Sequence, residues 1–140
     1  MNKVFIDTNI FIYFLDENES IKKQNCEKLF KAIESGKIKP YSSNIVFMEL
    51  IYVLVKTFKQ SKKIASQILT KLSQMRNFTL IEKTDSKKAL LYFSKHSIKF
   101  GDCLIATQIP PKSILITHDK EFKKFSSINS MTPEEFFLNS

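Results

Sequence analysis

Apolar residues along this chain switch between short unbroken runs and helical spacing. Val4, Phe5 and Ile6 form a run that stops at Asp7, which predicts a buried strand over residues 1–6 with a polar tip. Ile10 to Leu15 continues as a short helix. From Ser20 to Ser35, Ile21, Leu29, Phe30 and Ile33 make a helical stripe, and Gly36 follows where a helix end takes a left-handed residue. Ile38 to Ser42 predicts a second strand. Asn44 to Phe58, capped by Ser43, is the most apolar helix: Ile45, Met48, Tyr52 and Val55 share one side, and Phe47, Leu50, Ile51 and Leu54 cover much of the rest. Such a helix belongs at the centre of a core or on a dimer face.

The second half repeats the alternation. Ser61 caps a helix striped by Ile64, Ala65, Ile68, Leu69, Leu72 and Met75. A third strand is predicted over Phe78 to Ile81 and a helix over Asp85 to His96. A short helix then starts at Asp102 and stops before Pro110-Pro111. Ile114 to Thr117 predicts a fourth strand, followed by a helical turn through Phe125 and a weak fifth strand near Ile128. Thr132-Pro133-Glu134-Glu135 is a capping box opening a terminal helix. Strands alternating with helices predict an α/β/α sandwich around a parallel sheet of four to five strands. With no repeat and no linker, residues 1–140 read as one domain.

Charge sharpens the picture. The chain carries 22 Lys+Arg against 14 Asp+Glu, a formal charge of +8, and Arg76 is its only arginine. Lysine serves phosphate oxygens, whereas arginine reads base edges. A nucleic-acid partner would therefore be held by its backbone, although charge alone fits a solvated lysine surface equally well. Two cysteines, Cys26 and Cys103, make neither a disulfide framework nor a zinc motif, and no stretch reaches the ~18–20 apolar residues of a membrane span. A soluble, cytoplasmic protein is expected.

Aspartate is scarce, occurring only at 7, 16, 85, 102 and 119. Asp7 and Asp119 fall at or just past the ends of predicted strands, the edge where open α/β sheets bind ligands, and Asp102 opens a helix. Glu49 stands among Phe47, Met48, Leu50 and Ile51, where an unpaired carboxylate is costly. Either a lysine, backbone donors or a cation must compensate it. Converging carboxylates repel one another unless a cation neutralises them, and an all-oxygen set suits Mg²⁺ or Mn²⁺ over zinc. Setting these four aside leaves 22 basic residues against 10 acidic ones, a surround of +12. One acidic pocket in a basic protein suits metal-assisted phosphodiester chemistry. Against this, Asp7, Asp102 and Asp119 each precede helical turns and could serve only as caps.

Ile6-Asp7-Thr8-Asn9, Ser43 with Glu49-Leu50, Asp102 with Leu104-Ile105-Ala106, Thr117-His118-Asp119-Lys120-Glu121-Phe122 and the closing Pro133-Glu134-Glu135-Phe136 follow one another through the chain. In this order they resemble the PIN-domain nucleases, above all the single-domain VapC-like toxins. The resemblance implies a sheet in order 3-2-1-4-5 and Mg²⁺ or Mn²⁺ held by Asp7, Glu49, Asp102 and Asp119, with Asn9 and Thr117 orienting the carboxylates. It further implies an endoribonuclease attacking RNA in line with no covalent enzyme intermediate, frequent homodimers, and a small antitoxin partner. Thr8 and Ser43 read as backbone caps, and His118 is expected to face away from the site.

Two other readings compete. A phosphatase of the haloacid dehalogenase kind needs a second aspartate two positions after the first, where Asn9 stands. A catalytically inert PIN-like module binding RNA or protein would be expected to lack some of the four acids.

Overall fold

The computed structural model describes residues 1–139. Its sheet has five parallel strands, β1 (Asn2–Ile6), β2 (Ile38–Ser43), β3 (Thr79–Ile81), β4 (Ile114–Ile116) and β5 (Ser130–Met131), in the order β3-β2-β1-β4-β5. Among the described residues seven α-helices complete an α/β/α sandwich: α1 (Thr8–Leu15), α2 (Ile21–Glu34), α3 (Asn44–Lys56), α4 (Lys62–Ser73), α5 (Ser86–Lys95), α6 (Phe100–Ala106) and α7 (Pro133–Leu138). No helix among these residues is long and apolar enough to cross a membrane.

The order follows from the apolar runs. Val4, Phe5, Ile6, Leu115 and Ile116 are wholly buried, as expected of strands covered on both faces. Pro40 lies inside β2, yet β3 joins β2 only from Tyr41 onward, so the proline falls where β2 still has a free edge. The chain leaves β1 toward β2 and β3, then returns to the other side of β1 as β4 and β5. Strand order thus reverses between β1 and β4, and a crevice opens beyond their carboxyl ends.

Gly36 ends α2 at φ +82°, and a Cβ there would meet the Arg76 guanidinium carbon at 2.8 Å. Arg76 Nη1 donates to the Glu34 carbonyl at 3.1 Å, so the sole arginine closes a helix end. Ser43, Ser61 and Asp85 cap α3, α4 and α5, and Thr132 with Glu135 closes the capping box of α7.

One expectation needs correction. Helix α6 begins at Phe100, not Asp102: its N-cap, Lys99, makes no side-chain cap bond, so the residue types carry no start signal. The weak fifth strand expected near Ile128 is Ser130–Met131. Helix α3 buries Val46, Leu50 and Leu54, while Met48, Ile51 and Tyr52 are exposed. Only one face of α3 is core; the sequence is apolar on both.

Candidate functional site

A cavity of about 520 Å³ occupies the crevice at the ends of β1 and β4. Four elements line it: Asp7, Thr8, Asn9 and Ile12 from the start of α1; Met48, Glu49, Tyr52 and Val53 from α3; Lys99 and Asp102 from α6; and Asp119 from the turn after β4. All four acids singled out in the sequence thus reach one cavity, although 112 positions separate Asp7 from Asp119.

Asp7 stands where β1 ends, and its backbone N–H still pairs with the Ile116 carbonyl at 3.1 Å. Its carboxylate is held on both oxygens. Oδ1 accepts from Thr8 N at 2.8 Å, while Oδ2 accepts from Thr117 Oγ1 at 2.7 Å and from Asn9 Nδ2 at 3.3 Å. Thr117 is the hub, since its hydroxyl oxygen also accepts from Asn9 Nδ2 at 3.1 Å and from Asp119 N at 3.0 Å. Asn9 Oδ1 in turn accepts from His118 N at 3.1 Å. One hydroxyl ties the ends of β1 and β4 together and fixes Asp7 against Asp119.

Asp7 is only 4% exposed, and burial pushes its carboxyl up to about 6. Hydrogen bonds from Thr117 and Thr8 oppose the rise; the charges of Glu49 and Asp119 add to it. Half-buried Glu49 is held by Thr8. Thr8 Oγ1 donates to its Oε1 at 2.6 Å, and a Cβ on Gly101 would lie 3.4 Å from its Oε2. The Thr8 hydroxyl therefore bonds a carboxylate on another helix, which corrects its reading as a backbone cap.

Asp102 is the unbalanced group. It is 5% exposed, and its carboxylate accepts no hydrogen bond among the described residues. Burial pushes it up to about 7; Lys99 opposes this, and Asp7, Asp119 and Glu49 push further. Such a carboxylate calls for a proton or a cation. Asp119 does act as a cap, its Oδ1 accepting from Glu121 N at 2.9 Å, so the bland reading of that residue holds beside the other.

As they stand, no three acidic, histidine or cysteine side chains among the described residues form a group ready to hold a metal ion. The donor chemistry nevertheless fits a hard divalent cation: the charged oxygens are all carboxylate, and one buried carboxylate accepts no hydrogen bond and has only the charge of Lys99 to offset it. His118 is not among the cavity residues. Its ring lies edge-on to Tyr13 at 5.1 Å between centroids, and burial pushes its imidazole below the ordinary value, with Lys22 adding to this. Cys103, beside Asp102, is fully buried, and burial raises its thiol.

Sequence reasoning missed Lys99, Tyr52 and Met48. Lys99 had a signal, because three positions before Asp102 is one turn away on the same face. Tyr52 and Met48 had none, since an exposed and a buried residue look alike on a helix apolar all round.

Residues 4–127 match the family model described as PIN domain. A search of curated proteins returns no match. Among solved structures, VapBC2 from Rickettsia felis bound to a DNA fragment from its promoter superposes with a TM-score of 0.69 at 18% identity, over 93% of this chain and 98% of that one. VapC20 of Mycobacterium tuberculosis, a sarcin-ricin loop cleaving toxin, gives 0.70 at 15% identity, over 89% and 96%. A toxin–antitoxin complex from Klebsiella pneumoniae gives 0.61 at 21%, over 93% and 97%. At these identities the likeness shows the shared fold.

Proposed function

The chain belongs to the PIN-domain family, and from that premise we propose that it is a divalent-metal-dependent endoribonuclease, the toxin of a toxin–antitoxin pair. The observation that carries this reading is Asp102, a buried carboxylate without a hydrogen bond, facing three more acids in a chain of net charge +8. Nothing in the fold alone requires four carboxylates at one rim.

In this reading Asp7, Glu49, Asp102 and Asp119 hold Mg²⁺ or Mn²⁺. When bound, the ion lowers the pKa of water and offsets charge on the phosphate and the leaving oxygen. Thr117 and Asn9 fix the Asp7 carboxylate and Thr8 fixes Glu49, so two of the four acids are oriented in advance, and the remaining acids would have to close on the ion. Surface lysines, candidates being Lys56, Lys59, Lys62, Lys63, Lys120 and Lys123, gather the RNA backbone in a salt-dependent way. Lys124 is committed to Glu121 at 2.6 Å and is the weaker candidate.

Partners follow the same reading. A small antitoxin would cover the toxin, as the VapBC neighbours are complexes of that kind. A homodimer through α3 would bury the exposed apolar surface of Met48, Ile51 and Tyr52, and light scattering tests it. Cytoplasmic placement agrees with two buried, unpaired cysteines.

The deciding experiment incubates the pure protein with mixed structured RNAs in Mn²⁺ or in EDTA and maps the new ends. Mn²⁺-dependent cuts are expected. Inert protein that binds RNA regardless of metal would favour a binding module of the same fold.

A further inference from the structure

We propose that a second cavity, beyond the carboxyl ends of β4 and β5, binds a phosphate group between Lys120, Lys123 and the hydroxyl of Ser130. The proposal goes beyond the nuclease reading and does not depend on it, since it needs neither a metal ion nor cleavage.

This cavity has a volume of about 300 Å³ and shares only Asp119 with the lining of the acidic one. Its walls are the end of β4, a short 3₁₀ turn over Lys120–Lys124, β5 and the start of α7. In a 3₁₀ turn residues three apart eclipse one another, so Lys120 and Lys123 stand on one side, and both line the cavity. Lys124 does not join them; it donates to Glu121 and to the Ser97 carbonyl. Two ammonium groups on one side repel, and an anion between them removes that cost. Lys123 Nζ donates to the Ser130 carbonyl, which uses one of its three hydrogens. Lys120 forms no hydrogen bond and no ion pair among the described residues.

The groups left unused here are donors. Ser130 is only 3% exposed, yet its Oγ has no hydrogen-bond partner among the described residues, and neither has the buried Nε2 of His118. A buried hydroxyl without a partner is costly, and its hydrogen rotates to meet an acceptor. The acceptors, by contrast, are engaged. Glu135 Oε1 accepts from Thr132 N at 2.9 Å, Thr132 Oγ1 accepts from Glu135 N at 3.1 Å, and Asp119 Oδ1 accepts from Glu121 N. Hydrogen bonds from Thr132, joined by the charges of Lys123 and Lys120, hold the Glu135 carboxyl below its usual range.

The two lysines thus offset the two carboxylates, and the spare hydrogens decide the ligand. It must accept from several donors at once, and lysine binds phosphate oxygens as a point charge. Phosphate can arrive free or as part of a nucleic-acid strand; the chemistry of the site is the same.

The test titrates inorganic phosphate into the full-length protein in EDTA, with ionic strength held constant by chloride, and follows backbone amide shifts by NMR. Saturable shifts are expected at Ser130, Met131 and Thr132, with Thr8 and Glu49 in the acidic cavity unmoved. Lys120→Met and Lys123→Met should each weaken binding about ten-fold, the factor for one lost hydrogen bond to a charged group. Ser130→Ala should melt no lower than the wild type in chloride, because its hydroxyl has no partner, but lower than the wild type in phosphate. Melting temperatures also establish that each variant is folded. A short RNA with and without a terminal phosphate, added as competitor, tells the sources apart. Displacement by both identifies a phosphodiester of the strand, by the phosphorylated one alone a terminal monoester, and by neither the free ion. If no shift saturates, if both lysine variants bind as the wild type does, or if Ser130→Ala loses the same stability in both buffers, the proposal is overturned and water fills the cavity. RNA cleavage by a protein without the saturable shifts sinks this proposal alone; phosphate binding by a protein that cuts nothing in Mn²⁺ sinks the nuclease reading alone.

Discussion

The hydroxyl of Thr117 donates to Oδ2 of Asp7 at 2.7 Å, across 110 positions of sequence, and so joins the ends of the two strands between which the sheet reverses order. The same oxygen accepts from Asn9 and from the Asp119 backbone. Replacing it by a methyl strands the Asp119 N–H and leaves Asp7 Oδ2 and Asn9 Nδ2 with only their bond to each other. Thr117→Val is expected to cost about 1–3 kcal/mol in urea unfolding. It should also reduce metal affinity or cleavage by roughly 10–100-fold. A variant as stable and as active as the wild type would show that the hub merely fills space.

Asp102→Asn separates function from stability. Its carboxylate is buried without a hydrogen bond, so a neutral amide of the same shape removes a burial cost. In EDTA at pH 8 the variant should melt higher than the wild type, while Mn²⁺-dependent cleavage is lost. Asp7→Asn should also lose cleavage but gain less stability, since its oxygens already accept from Thr8, Asn9 and Thr117. Intact cleavage in either variant would remove that residue from the site.

Metal-free stability should fall as pH rises from about 4 to about 7. Folding raises Asp7 from 3.8 to about 6 and Asp102 from 3.8 to about 7, so across that window the folded state keeps protons the unfolded chain has released. The native state then binds more protons, and the slope of stability with pH is negative. Because the two acids raise each other, their contributions do not add. Added Mn²⁺ should raise the melting temperature more at pH 8 than at pH 5, because the ion competes with those protons. Thermal melts in EDTA that are flat across this range would contradict the burial argument.

Gly36→Ala should destabilise by about 1 kcal/mol or more, since φ is +82° and the new Cβ would stand 2.8 Å from the Arg76 guanidinium carbon. Arg76→Ala in the same chain relieves the collision but not the backbone strain. The double variant should therefore lose less than the two single losses summed, as denaturant unfolding can show.

Much of this was written locally. The run Val4-Phe5-Ile6 ending at Asp7, the serine caps at 43 and 61, Gly36 and the box at Thr132–Glu135 fix elements by their own residue types, and those elements stand where the sequence places them. The scarcity of aspartate also marked three of the acids, and Glu49 was conspicuous in its apolar surroundings. Each of those signals acts over a turn of helix or a few residues of strand. What faces what across the crevice is set by strand order and helix packing, which no local pattern encodes. Hence the burial that raises Asp102, the hold of Thr8 on Glu49, the start of α6 at Phe100 and the exposed face of Tyr52 beside the acids came only with the fold. Residue type decided which groups were available; long-range packing decided which of them lost their water, and it is that loss that makes carboxylates compete for a cation.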